Sequence, residues 1–230
     1  MLGDGAMGGK VITHFSGKLP AGPRERFCAL AELGYSPLFT LLQRHGDTVV
    51  RLRRPYVYPG LDALIADQPE GDAVVTDQPG LFIGVKTADC VPVLLWDEAA
   101  GVTAAVHAGW RGTALHIADK TVRVMRDEFG AREIRAAIGP CICQNCFVTR
   151  GEVPEAMTDM PQYITRIGDD QYLVDLPGIN TALLREAGVL DVEAPSGCTV
   201  CGPERYWSHR KHGADRGLQV SLIGWGGMAT

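Results

Sequence analysis

The chain has 230 residues, 46% of them hydrophobic, and a formal net charge of −5. It is long enough to bury a substantial core, and the acidic balance gives no electrostatic reason to expect nucleic acid or an anionic membrane as a partner. No apolar run approaches the roughly 20 residues of a membrane span, and the opening MLGDGAMGGKVITHF lacks the basic start and apolar core of a signal peptide. Seven cysteines are therefore read as reduced thiols or metal ligands of a cytoplasmic protein.

The first 40 residues carry little periodic signal. The middle of the chain is clearer. LFIGVKT (81–87), VPVLLW (91–96) and VTAAVHA (102–108) are short apolar runs bounded by Gly, Asp or Pro, as expected of strands buried on both faces. DEAAG between the last two predicts a hairpin loop. TALHIADKTVRVMRDEF (113–129) then sets Leu115, Ala118, Val122, Met125 and Phe129 on one helical face, with Thr113 as cap and Gly130 as stop. IRAAIGP (134–140) predicts a strand and INTALLREAG (179–188) a helix, while 151–175 has no clear pattern. A tight hairpin among alternating strands and helices argues against a purely parallel sheet. The expected fold is α+β, a single domain over 1–230 with mixed β-sheets flanked by helices.

The hairpin brings chemistry together. If it turns about residues 98–101, His107 lies opposite Pro92, and Cys90 sits diagonally two places away on the same face. Such diagonal neighbours are roughly 7–8 Å apart at Cα, a separation that suits a metal held between them by bonds of about 2.0–2.3 Å. A one-residue slip would send the two side chains to opposite faces. Two ligands are too few for tight zinc binding. His45, beside a glycine in LLQRHGDTVV, is the best third, with His14, His116, His209 and His212 as competitors; His116 reads as a surface residue of the helix. Asp89 and Arg111 are the polar neighbours of the pair. Arg111, with Gly109 and Gly112 ahead of a helix starting at Thr113, forms a candidate anion site, and Arg210 with Lys211 forms a second.

LLQRHGD, GDAVVTDQPGLFIGVKTADCVPVLL, VHAGWRGTA, IGPCI and SHRKHG, in this order, resemble the laccase-domain family, also called the multicopper polyphenol oxidase family. Its members are more recently described as zinc-dependent purine nucleoside phosphorylases. The resemblance is strongest over 41–147 and returns over 196–224. It implies a metal site of His45, Cys90 and His107, with zinc or, in the older description, copper. It also implies an α+β fold of mixed sheets flanked by helices, related in architecture to a bacterial toxin domain that hydrolyses with a Cys–His pair. The activity implied is phosphorolysis of adenosine, inosine or 5′-methylthioadenosine, with adenosine deamination as a side reaction. Cys90, His107, Arg111 and Asp89 would then be catalytic, and Arg111, Gly112, Arg210 and Lys211 would hold substrate or phosphate. The partners would be a nucleoside and phosphate.

The sequence departs from the family pattern at Arg44, at Phe147-Val148-Thr149 and at His209, Lys211 and His212, and its N-terminal segment is short by comparison. Phenol oxidation by copper is an alternative, but 6 histidines without a His-x-His pair are few for a laccase copper set. A thiol hydrolase with Cys90 as nucleophile and His107 as base is another, and a binding module with structural zinc would need a fourth ligand that this site lacks. CICQNC (141–146) and CTVC (198–201) each contain C-x-x-C and together could form a second, structural four-cysteine zinc site, but the gap between them far exceeds the roughly 15–20 residues of a compact zinc ribbon. Cys143, Cys146 and Cys201 are accordingly read as ordinary thiols, and Cys141 as a thiol near the site.

Overall fold

In a computed structural model, described over residues 10–226, the chain opens with β1 (Val11–Phe15), α1 (Pro23–Glu32), β2 (Leu38–Thr40), β3 (Val49–Leu52) and α2 (Leu61–Ala66). The signal-peptide reading thus falls partly outside the described residues. There follow β4 (Ala73–Thr76), β5 (Phe82–Thr87), β6 (Val91–Asp97), β7 (Val102–Ala108), α3 (Trp110–Ala114), α4 (Ile117–Phe129) and β8 (Arg135–Ile138). The last third supplies β9 (Val148–Thr149), α5 (Glu152–Glu155), β10 (Ile164–Gly168), β11 (Gln171–Val174), α6 (Leu176–Glu186), β12 (Asp191–Glu193), α7 (His209–His212) and β13 (Gln219–Trp225).

The architecture is α+β with mixed sheets. A six-stranded sheet in the order β12-β8-β6-β7-β4-β3 is parallel at both edges and antiparallel in the middle. A four-stranded sheet, β1-β13-β5-β2, covers one of its faces, with Ile83, Val85 and Leu222 packed among Val74, Leu94 and Ala105. On the other face Val93, Leu95, Ala104 and Val106 meet Ala118, Val122 and Met125 of α4 and Ile179 and Leu183 of α6. Strand alternation makes this two-sided burial possible, because successive residues of β6 and β7 enter different cores. Every residue of β7 is buried, as its unbroken apolar run requires. A small antiparallel sheet, β10-β11-β9, lies apart from these two.

The hairpin register agrees with the sequence expectation. His107 pairs with Pro92, and Asp97 with Val102, across the 98–101 turn. The expected single helix over 113–129 is corrected to two. His116 adopts a left-handed conformation (φ 59°) between α3 and α4, its N–H donating to the Thr113 carbonyl and its own carbonyl accepting from Lys120. The break turns Leu115 outward, 46% exposed, while Ala118, Val122 and Met125 occupy the expected buried face. Thr113 is therefore interior to α3, whose cap is Gly109, and His116 is half-buried with its ring on Asp159. The helix predicted over 179–188 begins earlier, where the Asp175 side chain accepts from the Gly178 N–H. No helix among the described residues is long and apolar enough to cross a membrane.

Candidate active site

His107 lies on the inner end of β7, Cys90 in the bend before β6, and His45 in the loop between β2 and β3. Their ligand atoms all lie within 4.8 Å of one another. The rings of His45 and His107 meet edge to face at 4.8 Å. Glycine at position 109 keeps the cluster open: a Cβ there would come 3.1 Å from Cys90 Sγ and 3.3 Å from His45 Cδ2.

The loop holding His45 is pinned by Asp72, a residue the sequence reading left unassigned. Its buried carboxylate accepts from the backbone N–H groups of Arg44, His45 and Gly46 at 3.2, 2.9 and 2.8 Å. Those bonds hold His45 at φ 60°, a left-handed conformation unfavourable for a residue with a side chain. The same carboxylate takes His107 Nδ1 at 2.8 Å, leaving Nε2 as the nitrogen available to a metal. A carboxylate behind a histidine in this way fixes the tautomer and raises ligand basicity. Asp72 thus positions two of the three candidate ligands. Its place before β4 looked, in the sequence, like an ordinary strand boundary.

Electrostatics make the trio a ready soft-metal donor set. Burial alone would push the Cys90 thiol up, but hydrogen bonds and charge from His107 and His45 bring it down to about 6. Burial would likewise lower His107, yet Asp72 and Cys90 raise it to about 9. Stripped of metal at neutral pH, the site holds a thiolate beside an imidazolium, both of which a metal can exploit once it displaces the imidazolium proton. Alkylation of Cys90 in metal-stripped protein should therefore rise with pH through a midpoint near 6, against 9.0 for an ordinary thiol. Peptide mass spectrometry after short iodoacetamide pulses measures this; a midpoint near 9 would refute the electrostatic description. His45–Cys90–His107 fits zinc in donor type and number, with a fourth position left over, as in catalytic sites.

The trio opens into a cavity of about 420 Å³ lined by His45, Asp89, Cys90, Trp110, Arg111, Ile142, Phe147, Leu176, His209, Arg210 and Arg216, among others. Arg111, Arg210 and Arg216 make it cationic, and Asp89 is the one carboxylate in the lining. Arg111 lies over the Trp110 ring and is paired at 2.8 Å with Glu152 on the exposed rim. Arg210 lies over the Phe147 ring and donates to the Val148 carbonyl. Arg216 was missed by the sequence reading because no motif marks it; its Nε is buried without a protein hydrogen-bond partner. A buried guanidinium nitrogen left unpaired beside a cavity is a strong attractor for an oxyanion.

The other candidate residues have structural partners of their own. Asp89 Oδ1 accepts from Thr199 Oγ1 at 2.5 Å and its Oδ2 from the Arg210 N–H at 2.7 Å. It holds two loops of the cavity wall, from a positive φ of its own. Gly112 is buried inside α3, and a Cβ there would stand 2.9 Å from the Gly46 carbonyl. Its lack of a side chain lets α3 pack on the His45 loop, and it lies outside the cavity lining. Lys211 is exposed and outside the cavity lining; Ser208 caps α7 by accepting from the Lys211 N–H, which turns His209 and Arg210 to the cavity instead. His14 lies on β1 against Tyr35, and His212 Nδ1 is held by Ser208, so neither competes for the metal. His209 lines the cavity but does not join the trio. Of the departures from the family pattern, Phe147 and His209 face the cavity, whereas Arg44 points outward to Glu70.

The remaining cysteines are not scattered. Cys143, Cys146, Cys198 and Cys201 form a second cluster, with all ligand atoms within 4.8 Å. Cys141 is buried beside it and bridges to Cys198 through the backbone.

A family model described as multi-copper polyphenol oxidoreductase laccase matches residues 21–226. A purine nucleoside phosphorylase of Deinococcus radiodurans is 34% identical over 211 residues, covering 87% of this chain and 75% of the relative. A protein named adenosine deaminase RL5, from an unknown prokaryotic organism, is 39% identical over 160 residues, covering 66% and 61% respectively. The crystal structure of YlmD from Geobacillus stearothermophilus superposes with a TM-score of 0.85 at 25% identity, covering 96% of this chain and 93% of that one. Neisseria meningitidis NMB0706 gives 0.76 at 30% identity, covering 89% and 81%.

Proposed function

Because the chain belongs to the laccase-domain family, we propose that it is a zinc-dependent purine nucleoside phosphorylase acting on adenosine, inosine or 5′-methylthioadenosine, with adenosine deamination as a side reaction. The observation that carries the reading is a cluster of three potential metal ligands and a cationic wall beside one cavity. His45, Cys90 and His107 would hold the metal, and Arg111, Arg210 and Arg216 would hold phosphate.

The chemistry asked of the protein is modest. A phosphate oxygen attacks the anomeric carbon, the bond to the purine nitrogen breaks, and the purine leaves with the electron pair and takes up the proton shed by phosphate. Positive charge builds on the sugar as the bond breaks, so an anion held against that face by arginines stabilises the transition state as well as attacking it. Trp110, Ile142, Phe147 and Leu176 give the cavity apolar walls suited to a purine ring. Asp89 anchors the 199 and 210 segments so that the cationic wall keeps its shape. Bound zinc would supply a Lewis acid to orient substrate, or a water of lowered pKa, the latter accounting for deamination.

The family's descriptive name points instead to copper and phenols. Base release from purine nucleosides, followed by chromatography with zinc or copper supplied, separates the two readings. Release that requires phosphate, supported by zinc, is expected. Oxidation of phenols with copper, and no base release from any nucleoside, would overturn the proposal.

A further inference from the structure

We propose that Cys143, Cys146, Cys198 and Cys201 bind a second, structural zinc ion, and that this ion clamps together the two loops forming one wall of the cavity. The inference rests on the cysteine cluster itself and not on the nucleoside reading.

The geometry is that of a closed tetrathiolate. Tetrahedral zinc with bonds of about 2.3 Å sets sulfurs about 3.8 Å apart. The four sulfurs here lie within 4.8 Å of one another, and Cys146 Sγ stands 3.5 Å from Cys201 Sγ. That is well beyond the roughly 2.05 Å of a disulfide bond. Each C-x-x-C occupies a tight turn: the Cys146 N–H donates to the Cys143 carbonyl, and the Gly202 N–H to the Cys198 carbonyl. The turns are aligned by the short ladder in which Cys141 donates to the Gly197 carbonyl and Thr199 to the Cys141 carbonyl. The Cys143 N–H is also directed at Cys198 Sγ, 3.4 Å away. Backbone donors of this kind stabilise anionic sulfur in metal thiolate sites. Four ligands leave no open position, so the ion is structural; binding exchanges the thiol protons for the metal.

Its place in the fold gives it work to do. The 141–147 segment carries Ile142 and Phe147 into the cavity, and the 198–201 segment carries Thr199, which holds Asp89. These segments meet through the short ladder, the sulfur contacts and Asp89, whose carbonyl accepts from the Ile142 N–H and whose carboxylate accepts from Thr199, although 55 residues separate Cys146 from Cys201. The long sequence gap does not exclude a zinc site, because the sheet supplies the proximity that a ribbon obtains from its short linker.

Zinc content by mass spectrometry is the test, on wild type, Cys90→Ala and the double variant Cys146→Ser/Cys201→Ser, all purified under reducing conditions. The double variant should hold about one zinc fewer per chain than wild type and melt at lower temperature, whereas Cys90→Ala should keep this zinc. Failure of the His45–Cys90–His107 assignment would appear separately, as Cys90→Ala matching wild type. Should the double variant not fold, cobalt-loaded Cys90→Ala gives the same reading through the intense visible bands of tetrahedral cobalt thiolate. Equal zinc in wild type and the double variant, absence of those bands, iron in place of zinc, or a Cys146–Cys201 disulfide in the native protein would each overturn the proposal.

Discussion

Replacing Cys90 by alanine is expected to remove the metal from the His45 site and to abolish base release while the chain stays folded. The thiol is the one soft ligand of the trio and is held near a pKa of about 6, so it is already a thiolate at neutral pH. Two imidazoles alone bind zinc weakly, and losing even a hydrogen-bond partner behind a ligand costs about 10- to 100-fold in affinity or activity. A direct ligand should cost more. Folding should survive, because Asp72 still accepts from three backbone N–H groups and His107, and Cys90 is a member of neither hydrophobic core. Zinc content together with circular dichroism checks this; a folded Cys90→Ala protein with full occupancy of that site would contradict the assignment.

Arg216→Ala is expected to lower kcat/KM for phosphate by about 100-fold, the scale set by losing one preorganised charged donor, with zinc content unchanged. Arg216 lines the cavity while its Nε is shielded from solvent and unpaired in the protein, so part of its desolvation cost is already met in the fold. Arg111→Ala should do less, about 10-fold on the energy of a charged hydrogen bond, since Arg111 first has to leave Glu152. That exposed ion pair is itself a weak restraint. Arg216→Lys should recover only part of the loss, because an ammonium keeps the charge but not the planar fork. Initial rates over a phosphate series measure all three. Wild-type phosphate dependence in Arg216→Ala would remove that residue from the anion site.

What the sequence made legible follows from how locally each feature is specified. The β6–β7 register could be read because two apolar runs are joined by a tight loop, whose length sets the pairing where burial on both faces leaves no alternation to do so. Cys90 and His107 therefore came together from the hairpin register, whereas His45 stood out only by its place beside a glycine between two apolar runs, a choice the family resemblance then supported. Asp72 could not be found, because its partners are folded onto it from 26 to 35 residues away. The break at His116 turns on one left-handed residue inside a run with good helical spacing. The proximity of the two C-x-x-C pairs was not legible, because sequence distance says little about spatial distance. The β10–β11 hairpin is largely exposed and so lacks the apolar alternation that reveals a strand.

The central claim is that this cavity transfers a ribosyl group to phosphate beside a bound metal. Phosphorus NMR of a reaction of inosine with zinc-loaded protein in phosphate buffer tests it most directly. The expected result is a ribose 1-phosphate resonance growing in step with hypoxanthine and missing from the Cys90→Ala reaction. Hypoxanthine without ribose 1-phosphate, or the same yield from Cys90→Ala, would contradict it.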